Sequence, residues 1–402
     1  MALLPRKDKE LPRPFQEKRT KLQWAKLISL WVGGVFVLLA VAGIIFIKVN
    51  TSAAADFTDN VLRPLLGNDR TVALERIFFN ASDSVQQLEY KNKTPDAPQF
   101  VQADGSSSSV PVSDTKTVDS DAFTSSLVPL QLPTAYKPLK NEGIWFDRPI
   151  GLFPGKHVAA YSFTRPDTDR SFAIVTLLKV DMTHIQISAV AGTKEPAAII
   201  GNPGPGVVPQ SVIDSNKLVA AFDGGFQYRD GKYGMIVGDK TYLPLQNNLG
   251  TIVGYKDGTY KILNYTGQDL GSNTTFVRQN CPILVDGGNV AVNDIANKAL
   301  WGRTPSTAIF TWRSGIGQDK NGNLIFAVGN NLTPETLAIA LKTAGAVEAI
   351  QLDINPNWVR FNLFKSTGPG AYSSTTLTHD LKDGSDSYLH GYVKDFFYLF
   401  GK

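Results

Sequence analysis

Cysteine is almost missing from these 402 residues, and histidine and methionine are scarce: one Cys, four His and three Met. A lone Cys281 cannot form an internal disulfide, so any extracytoplasmic part must hold together by core size alone. His157, His184, His379 and His390 are not spaced as ligand pairs. Also missing are a Gly-x-Ser-x-Gly elbow, a Walker loop, a His-Glu-x-x-His pair and a Cys-x-x-Cys pair, which sets aside the commonest hydrolase, nucleotide and zinc signatures. The Gly201–Gly206 stretch is a Gly/Pro loop without a dinucleotide fingerprint. Basic excess is missing as well, outside the N-terminus. The chain has 40 Lys/Arg and 36 Asp/Glu, and setting aside eight and three in residues 1–26 leaves 32 against 33. No basic stripe is left for a phosphate backbone, so no nucleic-acid partner is expected.

What is present begins with one long apolar run. Leu27–Ile47 holds 21 uncharged residues between Lys26 and Lys48. At about 1.5 Å per helical residue it reaches roughly 30 Å, the thickness of a hydrocarbon core. A cleaved signal peptide is the rival, with Ala53-Ala54-Ala55 as its mimic of a cleavage site. The run is longer than a signal core, however, and a 26-residue tail precedes it. The expectation is a single-pass protein of the cell membrane, meeting membrane lipid through Leu27–Ile47. The basic tail, residues 1–26, lies in the cytoplasm and the C-terminal domain is extracellular.

Residues 48–140 read as stalk and linker. A loose helical spacing runs through Leu74, Ile77, Phe78, Val85 and Leu88. From Lys91 to about Lys140 the chain turns to Ser, Thr, Pro and Asp, which bury too little to offset ordering entropy. The domain proper is expected over 141–402, as an α+β fold with a mixed β-sheet. Strand patterns occur at His157–Arg165, Ser171–Val180, Ile185–Val190, Leu218–Phe222, Tyr233–Leu243, Thr251–Tyr255 and Tyr260–Tyr265. Asp230-Gly231, Asp257-Gly258 and Asn321-Gly322 supply turn chemistry. Pro334–Ala344 reads as a helix, with Thr333 as N-cap, Pro334 at N1 and Gly345 as stop. Leu324–Val328 and Val347–Leu352 flank it, giving a β-α-β crossover. Tyr392–Phe400 is too short and too charged to span a membrane and reads as a last core strand.

Acids stand at strand ends. Ala220-Ala221-Phe222-Asp223-Gly224-Gly225-Phe226 puts Asp223 after an apolar run, with glycines that permit positive φ and close ligand approach. Ile350-Gln351-Leu352-Asp353-Ile354-Asn355 repeats the placement. Converging carboxylates suit a substrate or a hard cation, which makes Asp223 and Asp353 candidate ligands of a Ca or Mg ion. Pro282–Gly288 looks similar, but Asp286-Gly287 reads as a turn.

These segments carry a resemblance. Lys217–Phe226 resembles the Asn-Gly-Gly-Phe-Phe strand and loop of the phosphodiester glycosidase family, and Pro282–Val290 its following hairpin. Arg303-Thr304-Pro305-Ser306-Thr307-Ala308-Ile309 is similar to its Pro-Arg-Thr-Ala-Ile-Gly segment. Asn323–Val328, the helix from Pro334 and Ala349–Asp353 are similar to its strand, helix and Leu-Asp-Gly-Gly-Gly-Ser ending. The order agrees over about residues 150–365. Three departures stand out: Asp223 for Asn, Ser306 for Arg, and Asp353-Ile354-Asn355-Pro356-Asn357-Trp358 for the Gly-rich ending, whose N–H groups suit a phosphate where proline has none.

The resemblance implies a hydrolase of sugar-1-phosphodiester linkages in a phosphorylated glycan or cell-envelope polymer. Asp353 is then the carboxylate beside the ring or its metal-holding equivalent. Asp223 orients sugar hydroxyls or shares a cation, and Arg303 holds the phosphate. Gly224 and Gly225 keep the floor open, and Phe226, Thr307, Asn355, Asn357 and Trp358 complete the substrate side. Trp358 reads equally as core packing before Val359–Phe364. The altered ending keeps a second class open: a non-catalytic glycan-binding or envelope-organising module. A peptidase or lipid-acting enzyme lacks a nucleophile–His signature.

Overall fold

The computed structural model describes residue 65 and residues 83–101, 122–294, 298–302 and 309–402. The Leu27–Ile47 run lies outside the described residues. Among those that are described, no helix is long and apolar enough to cross a membrane.

The strands, in chain order, are β1 Phe146–Asp147, β2 Ala159–Thr164, β3 Val175–Val180, β4 Ile185–Val190, β5 Leu218–Asp223 and β6 Met235–Val237. Next come β7 Lys240–Leu243, β8 Leu249–Tyr255, β9 Tyr260–Tyr265, β10 Thr274–Gln279, β11 Val285–Asp286 and β12 Asn289–Val290. The last six are β13 Thr311–Asp319, β14 Leu324–Leu332, β15 Ala346–Ile354, β16 Phe361–Gly368, β17 Ala371–Thr376 and β18 Phe396–Gly401. They form an eight-stranded sheet, β1-β2-β3-β14-β13-β15-β11-β12, and two five-stranded sheets, β7-β6-β10-β8-β9 and β17-β16-β5-β18-β4.

The crossover is present, but the sheet is not mixed. β14 leads through the helix Pro334–Thr343 to β15, and β13 lies between those two strands, antiparallel to both. The crossover strands therefore run parallel without touching, and every pairing between the strands named above is antiparallel. The α+β reading stands, with few helices on mostly antiparallel sheet. Thr333 caps the helix as expected: its Oγ1 accepts from Thr336 N–H at 3.0 Å, and Thr336 Oγ1 accepts in return from Thr333 N–H at 2.9 Å. Thr takes the place that Glu or Gln fills in the common capping box.

The eight-stranded sheet is buried on both faces, which is why β14 reads as a continuous apolar run. Ile325 and Ala327 pack with Leu337, Ala338 and Leu341 of the helix. Phe326 and Val328, on the opposite face, join Phe222, Phe361 and Phe397 of the β5-β16-β18 sheet. Phe222 and Phe361 stack with centroids 5.3 Å apart and planes 7° from parallel. That aromatic layer lies directly before Asp223 in the chain and fixes the end of β5.

Order begins before Asn141. Phe123, Leu127 and Leu130 are buried in the helix-side core, and Trp145 Nε1 donates to Val128 O at 2.9 Å. Residues 83–90 are helical, and Asp83 pairs with Arg170 at 2.8 Å. Phe100 bridges to Thr378. The polar composition of residues 91–140 hid these anchor points, because a handful of aromatic and leucine side chains does the docking. Two turns follow the sequence: Asp257-Gly258 joins β8 to β9, and Asn321-Gly322 joins β13 to β14. Asp230-Gly231 does not make a hairpin. It closes the short helix Tyr228–Gly231, and the expected strand Tyr233–Leu243 is split into β6 and β7.

Candidate functional site

Asp223 and Asp353 end neighbouring segments of two different sheets and meet. Asp353 N–H donates to Asp223 Oδ2 at 3.2 Å. Ser314 on β13 ties them together: its hydroxyl donates to Asp223 Oδ2 at 2.5 Å and accepts from Asp353 N–H at 3.1 Å. Asp223 Oδ1 accepts from Arg360 N–H at 3.0 Å. Asp353 Oδ1 accepts from Ile354 N–H at 2.8 Å, and its Oδ2 takes the Lys394 ammonium. Lys394 arrives from the loop before β18. Both carboxylates and the ammonium are buried, at 1%, 3% and 3% exposure for Asp223, Asp353 and Lys394.

Burial in a low dielectric disfavours charge, and it acts in opposite directions on the two group types. It pushes the Asp223 carboxyl up to about 7, against the lowering effect of Ser314, Arg360 N–H and Lys394. It brings the Lys394 ammonium down to about 8, while Asp395 and Asp223 pull it up.

A second buried ion pair supports the first. Arg278 on β10 forks onto Asp395, Nε to Oδ2 at 2.8 Å and Nη2 to Oδ1 at 3.1 Å. Its remaining N–H groups reach the carbonyls of Tyr233, Gln279 and Phe226. Asp395 Oδ2 also accepts from Gly225 N–H at 2.9 Å. Asn280 completes the clamp, accepting from Phe226 N–H and donating to the carbonyls of Gln351 and Leu352.

Gly224 and Gly225 serve this clamp. Neither has positive φ, contrary to the sequence expectation. A Cβ on Gly224 would lie 2.2 Å from Asp395 Oδ2, and one on Gly225 would lie 2.5 Å from Arg278 Nη2. The glycines are needed because charged side chains close over them. Phe226 is a buried core ring facing Tyr233, with centroids 6.1 Å apart.

The segment after Asp353 forms a turn. Asn355 adopts φ 88°, its Oδ1 accepts from Asn357 N–H at 2.9 Å, and its carbonyl accepts from Trp358 and Val359 N–H. Asn and Asp are the non-glycine residues that best tolerate this backbone region. Trp358 is half-buried, with its ring 5.0 Å from Lys394 Nζ. The indole therefore lies against the Lys394–Asp353 pair. Arg360 follows, half-buried, with Nε donating to Asn357 O at 3.3 Å and the guanidinium 5.2 Å from the Tyr392 ring. Lys382 Nζ donates to Asn357 Oδ1.

Arg303 and Thr307 lie outside the described residues. The residues on either side of their segment are held by Arg313, whose buried guanidinium donates to Trp301 O, Ile309 O, Leu332 O and Gln351 Oε1. Burial lowers it to about 10, so it stays charged at neutral pH. Asp286 makes the expected turn: β11 and β12 are joined by Gly287 and Gly288 at φ 54° and 77°, the two-residue connection that demands positive φ twice.

As cation ligands, Asp223 and Asp353 fit poorly. Asp353 Oδ2 already faces an ammonium, and both Asp223 oxygens point at N–H or O–H donors. Among the described residues no three His, Cys, Asp or Glu side chains gather as a metal site. Sequence reasoning missed Ser314, Lys394, Asp395 and Arg278. Lys394-Asp395 was in view as charge inside Tyr392–Phe400, and charge inside an apolar strand pattern is the signal that could have marked it.

Residues 216–353 match the model of the phosphodiester glycosidase family. Among solved structures, one similar chain is the zebrafish N-acetylglucosamine-1-phosphodiester α-N-acetylglucosaminidase catalytic domain, auto-inhibited by its pro-peptide. It shares 15% identity over 62% of this chain and 85% of that one, at TM-score 0.39. A Synechocystis protein shares 13% identity over 64% and 62%, at 0.31. An exported protein of Burkholderia pseudomallei K96243 shares 10% over 56% and 74%, at 0.28. No curated protein matches.

Proposed function

We propose, from a chain that carries a phosphodiester glycosidase domain at residues 216–353, that it hydrolyses sugar-1-phosphodiester linkages in a phosphorylated envelope glycan. The observation that supports this reading most is the direct junction of Asp223 and Asp353. Cleavage at an anomeric carbon develops positive charge on the ring, and a fixed carboxylate beside it lowers that barrier. Asp353 is the group for this task, with its Oδ2 facing the Lys394 ammonium. Asp223, whose carboxyl burial raises to about 7, lies close by as a group able to hold a proton near neutral pH. Trp358 offers an indole face to a pyranose. An anchor at Leu27–Ile47, if retained, would hold the domain at the outer face of the membrane.

A second reading has its own support: a glycan-binding module of the same fold. Both carboxylates are buried and internally satisfied, and Ile354 and Pro356 stand where the family has glycine. Turnover separates the two. Sugar release from UDP-N-acetylglucosamine or para-nitrophenyl sugar phosphates, lost in Asp353→Ala, supports the hydrolase. Glycan binding without release, in a folded chain, supports the module.

A further inference from the structure

We infer that Arg360 and Lys382, joined through Asn357, form an anion subsite that takes the phosphate group of a phosphorylated sugar. This rests on the hydrolase or glycan-binding reading above and assigns the phosphate to residues outside the family pattern. Asn357 organises the pair, its carbonyl accepting from Arg360 Nε at 3.3 Å and its side-chain oxygen from Lys382 Nζ. Two cations therefore converge on one residue. Neither forms an ion pair with a carboxylate among the described residues. Asp383 is the acid that senses Arg360, and its Oδ1 already accepts from Asn362 Nδ2 at 2.6 Å and Ser385 N–H at 2.9 Å.

Arg360 is also preorganised. Its own N–H is bound to Asp223, and its guanidinium rests against the buried Tyr392 ring. Holding the fork in place before a ligand arrives removes most of the entropy cost of binding. Its Nη groups make no hydrogen bond among the described residues, and Lys382 is exposed. A half-buried guanidinium without a carboxylate partner among the described residues, on the residue whose backbone N–H meets Asp223, suits the bidentate geometry of a phosphate. The two cations come from the loop after Asp353 and from its neighbour.

The test is binding of inorganic phosphate, N-acetylglucosamine-1-phosphate and free N-acetylglucosamine to the full chain, measured by calorimetry. Arg360→Gln and Lys382→Gln should each weaken both phosphate ligands about tenfold, the loss of one charge-assisted contact, and leave the free sugar unchanged. Arg360→Lys should fall between, because an ammonium cannot fork. Unchanged phosphate affinity in both Gln variants, with folding confirmed by circular dichroism, would overturn the subsite, as would no saturable phosphate binding by the parent chain. Phosphate binding through Arg360 without sugar release would uphold the subsite and overturn the catalytic reading. Sugar release with KM unchanged in Arg360→Gln would do the reverse.

Discussion

Lys394 reaches the Asp353 carboxylate from the loop before the last strand, 41 residues along the chain, and the half-buried Trp358 ring lies 5.0 Å above the ammonium. Both side chains are nearly buried. Taking both charges out of water is costly, and their mutual attraction offsets that cost only while both partners are present.

Removing one partner alone should therefore be costly. Asp353→Ala leaves a buried ammonium and is expected to destabilise by about 3–5 kcal/mol. Asp353→Ala combined with Lys394→Met should recover much of that loss. Denaturant unfolding of the single and double variants measures both. Additive losses in the double variant would mean that the two side chains are not coupled.

The raised Asp223 carboxyl sets a pH dependence. Its folded value of about 7 lies above the unfolded value near 4. The folded state thus binds more protons between those limits, and the contribution to stability is full below about pH 4 and lost as pH rises through 7. Lys394 acts in the other window. Its folded value of about 8 lies below the unfolded one, so stability rises with pH between about 8 and 10. The stability–pH curve of Asp223→Asn should lack the fall between pH 4 and 7. A parallel curve for both proteins would contradict the assignment.

Gly225→Ala places a methyl group 2.5 Å from Arg278 Nη2. The guanidinium is fixed by five contacts and has nowhere to retreat, so a loss of about 1–3 kcal/mol is expected. Gly287→Ala, at an open turn, should cost only the backbone strain of positive φ. Thermal melting of the two variants compares them directly.

Thr333→Ala removes the half of the capping box on the crossover helix made by its own Oγ1, the acceptor for Thr336 N–H, worth about 1 kcal/mol, and keeps the backbone N–H bond to Thr336 Oγ1. The helix lies on the far face of the eight-stranded sheet from the aromatic layer below Asp223, so ligand affinity should not change. Unfolding and binding measured on one preparation separate the effects.

Much of the strand order was legible because burial on both faces writes itself as long apolar runs, as in Leu324–Val328, and because Thr333-Pro334 and Gly287-Gly288 have few structural meanings. Asp223 and Asp353 stood out for a related reason: a carboxylate at the end of such a run needs an explanation. What could not be read was their company. Ser314, Arg278 and Lys394 come from separate strands or loops, and only tertiary contact gives them roles. The mixed sheet failed on the same ground, since nothing local to Leu324–Leu352 reveals that β13 would insert between the crossover strands. Gly224 and Gly225 were read for φ, whereas their constraint is the side chain that closes over them.

The most direct measurement is sugar release from a sugar-1-phosphodiester by the purified full chain, beside the same assay on Asp353→Asn shown to be folded. Release by the parent chain and its loss in the variant are expected. Equal release from both, or none from a folded parent chain on any donor, would contradict it.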